Sequence, residues 1–170
     1  LYASPVDEIP APQTRLGPYR LVDRLAVGGM AEVYRAVAPR GAADERTVVI
    51  KRMLPHVASE HNGSVMFEEE ARLNSRVAHE HVVEMLGAGE ADGTPYLVLE
   101  YVPGCDLWRL MRSLRREGTV LGVDLSVYIL HRILLGLDAV HCAQDRDGTP
   151  LKIVHRDVSP SNILLSIHGD

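Results

Sequence analysis

Ile153-Val154-His155-Arg156-Asp157-Val158-Ser159-Pro160-Ser161-Asn162-Ile163-Leu164-Leu165 is the stretch of this 170-residue chain that decides its reading. Two apolar runs flank a polar segment in which an aspartate and an asparagine stand five residues apart around a proline. Packing alone does not call for that combination. A carboxylate such as Asp157 accepts a proton and orients a hydroxyl nucleophile, and the amide oxygen of Asn162 suits a hard cation. The flanking runs, Ile153 to His155 and Ile163 to Ser166, read as short strands with the polar segment between them.

Three features upstream acquire meaning beside this one. In Leu25-Ala26-Val27-Gly28-Gly29-Met30-Ala31-Glu32-Val33, small residues let backbone N–H groups approach phosphate oxygens that a side chain would block. Taken alone, this is a tight hairpin turn. Val48-Val49-Ile50-Lys51 ends an apolar strand on a lysine, which points into a cleft or reaches solvent. In Phe67-Glu68-Glu69-Glu70-Ala71, three acids adjoin the apolar face of a helix. Glu68 and Glu69 read as a solvated stripe. Glu70, three residues after Phe67, is close enough to the buried face to pair with Lys51.

The rest of the chain supplies a frame. Residues 1–18, with Pro5, Pro10, Pro12 and Pro18, read as a flexible tail, and order is predicted to begin at Tyr19. Alternation on both sides of the glycine turn predicts a hairpin, and Thr47 to Met53 a third strand. Asn62 or Ser64 is placed to cap a helix carrying Val65, Met66, Phe67, Ala71, Leu73 and Val77. His81 to Gly87 and Pro95 to Val102 read as two further strands, joined through the turn Ala91-Asp92-Gly93-Thr94. Asp106 to Arg116 is a basic helix. Val123 or Asp124 to about Cys142 is a long helix, apolar on most faces, as befits the interior of a larger helical domain. Ala143 to Lys152 is a charged loop with an Asp147-Gly148 turn.

In this order, the pieces resemble the protein kinase family, in particular the bacterial eukaryotic-like Ser/Thr kinases, over Tyr19 to Ser166. The resemblance implies an α+β fold. A five-stranded antiparallel N-lobe with one αC helix would occupy residues 19–102, and the start of a mainly helical C-lobe residues 103–170. It implies ATP and Mg2+ as cofactors and protein hydroxyls as substrates. Ala26, Gly28 and Ala31 would hold the three glycine positions of the phosphate loop, with Val27 and Gly29 beside them. Lys51 would hold the α- and β-phosphates and pair with Glu70. Val33, Val49 and Leu164 would enclose the adenine. Leu99 looks like the gatekeeper, Glu100 to Val102 the hinge and Asp106 the ribose contact. Asp157 would be the catalytic base and Asn162 a magnesium ligand.

The sequence departs from the family pattern in three places. Alanines stand at the first and third loop glycines, which is tolerable while φ stays negative. Ser159 replaces a lysine that contacts the transferred phosphate in Ser/Thr kinases. That loss weakens transition-state stabilisation by roughly a few kcal/mol if nothing compensates, and it loosens the assignment to Ser/Thr over Tyr. The family continues past this point to a D-F-G segment, so the 170-residue chain is expected to be inactive and poorly soluble by itself. Two alternatives remain. One is a pseudokinase or nucleotide-binding scaffold, which Ser159 favours and Lys51, Glu70, Asp157 and Asn162 oppose. The other is a small-molecule phosphotransferase, whose members tend to carry glycine where Arg156 stands.

Composition narrows the classes further. A net charge of −5 argues against non-specific nucleic-acid binding. No run of about 18 apolar residues predicts a membrane span. Cys105 and Cys142 form no C-x-x-C pair and read as free thiols of a reducing compartment. The start at Leu1 has no leader pattern and suggests a fragment or processed chain, with the cytoplasm as its default location. The histidines around His79-Glu80-His81 lack partner cysteines and read as structural rather than zinc-binding. Oligomeric state is not legible.

Overall fold

A computed structural model describes residues 15–40, 44–58, 65, 67, 70–72 and 74–169. It divides into two compact units. One takes the chain up to Ser75 together with Glu84–Tyr101; the other takes Arg76–Val83 and Val102–Asp170.

The first unit is a six-stranded antiparallel sheet in the order β1-β2-β3-β4-β6-β5. Its strands are β1 (Arg15–Leu16), β2 (Tyr19–Val27), β3 (Ala31–Arg40), β4 (Asp44–Met53), β5 (Met85–Ala91) and β6 (Thr94–Glu100). Side chains alternate across the sheet, so each strand contributes to two faces. On one face, Leu16, Leu21, Ala36, Val48, Ile50, Tyr96 and Val98 form a core, with Tyr19 edge-on to Tyr96 at 5.9 Å. On the other, Met53 and Leu97 meet Val57 of the short helix α1 (Pro55–Ala58) and Phe67. Val65, Phe67, Glu70–Arg72 and Asn74 are helical. Phe67, the chain's one phenylalanine, therefore fastens this helical segment to the Lys51 face of the sheet. Asp92 and Gly93 both have positive φ, 52° and 68°, as the tight β5–β6 hairpin turn requires.

The second unit holds β7 (Gly104–Asp106), α2 (Leu107–Arg116), α3 (Val123–His141) and β8 (Leu164–Ser166), with a 3₁₀ turn at Pro160–Asn162. β7 and β8 pair with each other, Asp106 opposite Leu164. Gly136 of α3 comes against the His81 backbone, where an added Cβ would lie 2.7 Å from the carbonyl oxygen. Arg132 of α3 donates to His81 Nε2 at 3.2 Å and stacks on Tyr128 at 4.9 Å. Arg76 pairs with Asp145 at 3.2 Å. These three contacts hold Arg76–Val83 to the helical unit.

Several expectations are corrected. The sheet has six strands rather than five, because Arg15–Leu16 pairs with Tyr19–Arg20 and buries Leu16; order begins before Tyr19. The proline-rich residues before Arg15 lie outside the described residues, as do Asn62, Ser64, Met66, Glu68, Glu69 and Leu73. Val77 falls beyond the helix, which gives way to a turn at Ser75. The strand expected from His81 starts only at Met85, because the contacts to α3 hold His81 in a turn. Ile153 to His155 is not a strand. Lys152 and Arg156 have positive φ on either side of it, and β8 is already paired with β7. Cys105 and Cys142 are free, the first half-buried and the second exposed. No helix among the described residues is long and apolar enough to cross a membrane.

Candidate active site

The sheet unit carries the candidate phosphate-binding residues. Its glycine turn closes with Gly28 N–H donating to the Ala31 carbonyl at 2.8 Å, and Val27, Gly28, Gly29 and Met30 are exposed. Ala26 and Ala31 are buried at the strand ends, and neither has a positive φ, so both methyl groups are accommodated without backbone strain. Nothing lies within 4 Å of a Cβ built on Gly29. The loop therefore presents bare backbone to solvent.

Register places Val33 opposite Lys51, Lys51 opposite Leu97, and Val49 opposite Leu99. Val33, Val49, Lys51, Leu97 and Leu99 thus share one sheet face. Lys51 Nζ donates to Glu70 Oε1 at 2.6 Å, with the two side chains 30% and 40% exposed. Phe67 and Glu70 stand i, i+3 on one side of the helical segment. Burial of Phe67 against Met53 and Leu97 therefore aims Glu70 at Lys51. Half-exposed and held by one acidic partner, the ammonium remains available to an anion. Glu100 is anchored by two bonds: its N–H donates to the Glu84 carbonyl at 3.0 Å, and its carboxylate accepts from Glu84 N–H at 2.7 Å.

The helical unit carries Asp157 and Asn162, both exposed. Asn162 Nδ2 donates to the Asp157 carboxylate at 2.8 Å and to its backbone carbonyl at 3.0 Å. Asp157 N–H donates to the His155 carbonyl at 2.8 Å, a tight turn reached through Arg156 at φ 60°. The amide that orients Asp157 keeps its oxygen Oδ1 on the other side, a hard donor of the kind Mg2+ takes alongside water and phosphate oxygens. Among the described residues, no three His, Cys, Asp or Glu side chains cluster to hold a metal by themselves. A single amide oxygen fits a metal that arrives with a nucleotide.

Asp106 sits apart from solvent at 2% exposure and accepts from Arg109 N–H at 2.8 Å as the cap of α2. Leu164 is half-buried in β8 opposite it, and Val102 is half-buried in the chain leading to β7. One pairing escaped the sequence. Ser159 and Ser161 bring their hydroxyls within 3.0 Å beside Asp157. The i, i+2 spacing of two serines around Pro160 was its visible signal.

The sheet unit carries a lysine–glutamate pair, and the helical unit carries an asparagine-oriented aspartate. Residues 19–170 match the protein kinase domain family, and the chain belongs to it. It is 39% identical over 153 residues to the tyrosine-protein kinase MasK of Myxococcus xanthus, across 90% of this chain and 24% of that protein. It is 36% identical to the serine/threonine-protein kinase PknE of Mycobacterium tuberculosis, with the same two coverages. The chain thus spans about a quarter of the length of these relatives. Among solved structures, the PknI kinase domain of Mycobacterium tuberculosis superposes with a TM-score of 0.71 at 27% identity, covering 93% of this chain and 58% of that one. The fold is the protein kinase fold, and the family generally uses ATP and Mg2+.

Proposed function

We propose that this protein is an ATP-dependent protein kinase that transfers the γ-phosphate to serine or threonine hydroxyls. The observation that carries the reading is the Lys51–Glu70 ion pair at 2.6 Å, the arrangement in which the lysine is positioned for nucleotide phosphates. Lys51 neutralises the α- and β-phosphates, and the open backbone at Gly28 and Gly29 lies over them. Val33, Val49 and Leu164 supply apolar surface for the adenine, with Leu99 as the gatekeeper and Glu100 to Val102 as the hinge. Asp157, held by Asn162, accepts the proton of the substrate hydroxyl as its oxygen attacks the γ-phosphorus and the bond to the β-phosphate oxygen breaks. Asn162 Oδ1 would hold Mg2+, which would supply charge neutralisation at the phosphates when bound.

The test is an ATP titration of the protein and its Lys51→Met variant. A loss of about tenfold or more is expected, because a phosphate-facing cation is removed. Equal affinities would overturn the reading. The pair is too exposed to stabilise the fold by more than about 1 kcal/mol, so the melting temperature should hardly move.

A second reading concerns the acceptor. Ser159 leaves the position beside Asp157 without a cation, and MasK, the relative at 39% identity, is named a tyrosine-protein kinase. Phosphoamino-acid analysis of a mixed Ser, Thr and Tyr peptide library separates the two.

A further inference from the structure

Helix α2 is strongly basic in an acidic chain. The protein carries a net charge of −5, yet Leu107-Trp108-Arg109-Leu110-Met111-Arg112-Ser113-Leu114-Arg115-Arg116 contains four arginines and no acid. At about 100° per residue, Leu107, Leu110, Met111 and Leu114 gather on one stripe and the arginines on another, with Trp108 between Arg115 and Arg112. Leu107, Leu110 and Leu114 are half-buried, whereas Trp108 and Met111 are 50% and 46% exposed. Arg112, Arg115 and Arg116 are exposed. Among the described residues, no ion pair engages any of the four arginines. Instead, the Arg112 guanidinium stacks on the Trp108 ring at 5.1 Å. That contact orders both side chains at one solvent-facing spot before any partner arrives. Tryptophan and arginine are the residue types that dominate interface energetics.

The position of the helix matters as much as its charge. Leu107 N–H donates to the Ile163 carbonyl at 2.9 Å, and Ile163 directly follows Asn162. The basic surface therefore begins beside the Asp157–Asn162 loop and runs about 15 Å from it, a length matched by about five residues of extended peptide.

We infer that the Trp108–Arg112 surface of α2, with Met111, Arg115 and Arg116, docks an acidic segment of the protein substrate. The inference rests on the protein kinase reading and adds a substrate feature to it. Carboxylates would meet the three exposed arginines, and an apolar side chain would lie against Trp108 and Met111. An anionic membrane is the weaker match. A helix lying in a bilayer interface presents a full apolar face, and here Leu107, Leu110 and Leu114 are half-buried, leaving Trp108 and Met111 as the exposed apolar side chains of the helix.

Trp108 is the only tryptophan in the chain, so its emission reports on this surface alone. The 170-residue protein would be titrated with a peptide of about ten residues alternating Glu and Leu, with a Lys-for-Glu counterpart, and with phosphatidylserine-containing vesicles. A saturable shift of Trp108 emission is expected with the acidic peptide only, weakening as salt shortens the screening length. Arg112→Glu with Arg115→Glu should weaken binding by about tenfold, and the milder Arg115→Gln with Arg116→Gln by about threefold. ATP affinity of both variants should be unchanged, which also shows that they are folded. The proposal is overturned by a silent Trp108, by equal response to the basic peptide, by unaltered affinity in the charge-reversed protein, or by binding to vesicles but not peptide. Failure of ATP binding with docking intact would strike the kinase reading instead.

Discussion

Asn162 reaches back five residues to donate twice to Asp157, at 2.8 Å to the carboxylate and 3.0 Å to the backbone carbonyl. This makes Asn162 a positioning residue as well as the proposed metal anchor, and two substitutions separate the roles. Asn162→Ala removes both, whereas Asn162→Asp keeps an oxygen donor but sets a carboxylate against Asp157. Both variants should lose most of the gain in ATP affinity that Mg2+ provides, and the alanine variant should lose it more fully. Their stability should fall by about 1 kcal/mol at most, because the bonds are exposed. Unchanged Mg2+ dependence in Asn162→Ala would remove the metal role.

Gly136→Ala is a packing prediction. Alanine is favoured over glycine within a helix by about 1 kcal/mol. Here, however, the methyl group would come within 2.7 Å of the His81 carbonyl oxygen, and backbone would have to move. Overpacking of this kind costs about 1–3 kcal/mol, so the variant should be the less stable one. Gly29→Ala, with nothing within 4 Å, serves as the control. Urea unfolding of the two variants decides the matter; a stabilised Gly136→Ala would mean that Arg76–Val83 is loosely held.

Asp106 carries a structural duty and a proposed functional one. As the buried cap of α2, it should cost about 1–2 kcal/mol when replaced by alanine, and much less when replaced by asparagine, which keeps an acceptor for Arg109 N–H. If it also contacts the ribose, both variants lose ATP affinity. Thermal melts and ATP titrations on the same samples distinguish a cap alone from a cap that also binds.

Asp147 supplies the pH prediction. The Thr149 N–H donates to its carboxylate at 3.0 Å and lowers the carboxyl pKa from its ordinary 3.8. A depressed folded-state value means that the carboxylate's contribution to the 144–150 turn is complete above the ordinary value. It is lost as pH falls through the lowered one. Carboxyl NMR of Asp147 should show a midpoint below 3.8. A midpoint at or above 3.8 would show that the turn does not depend on the charge.

Much of this protein was legible residue by residue. The Asp-Gly turn at 92–93 and the bounds of α3 followed from local chemistry: φ preference and hydrophobic period. The meeting of Glu70 with Lys51 was readable because Phe67 and Glu70 share a helix face and Lys51 closes an apolar strand. What the sequence could not disclose were pairings between distant segments. Arg15–Leu16 is a strand because Leu16 finds a place in a core built from β2, β3, β4 and β6. Gly104–Asp106 is a strand because Leu164–Ser166 lies alongside it, about sixty residues later. His81 turns, where a strand was expected from His81 to Gly87, because Arg132 and Gly136 of α3 hold it there. The sequence by itself determined the family and the order of the chemical groups, since these depend on residue identity and spacing. Only the tertiary structure decided the sheet's edge, the burial of Asp106 and the open arginine face of α2, since burial and pairing are properties of partners brought together from far along the chain.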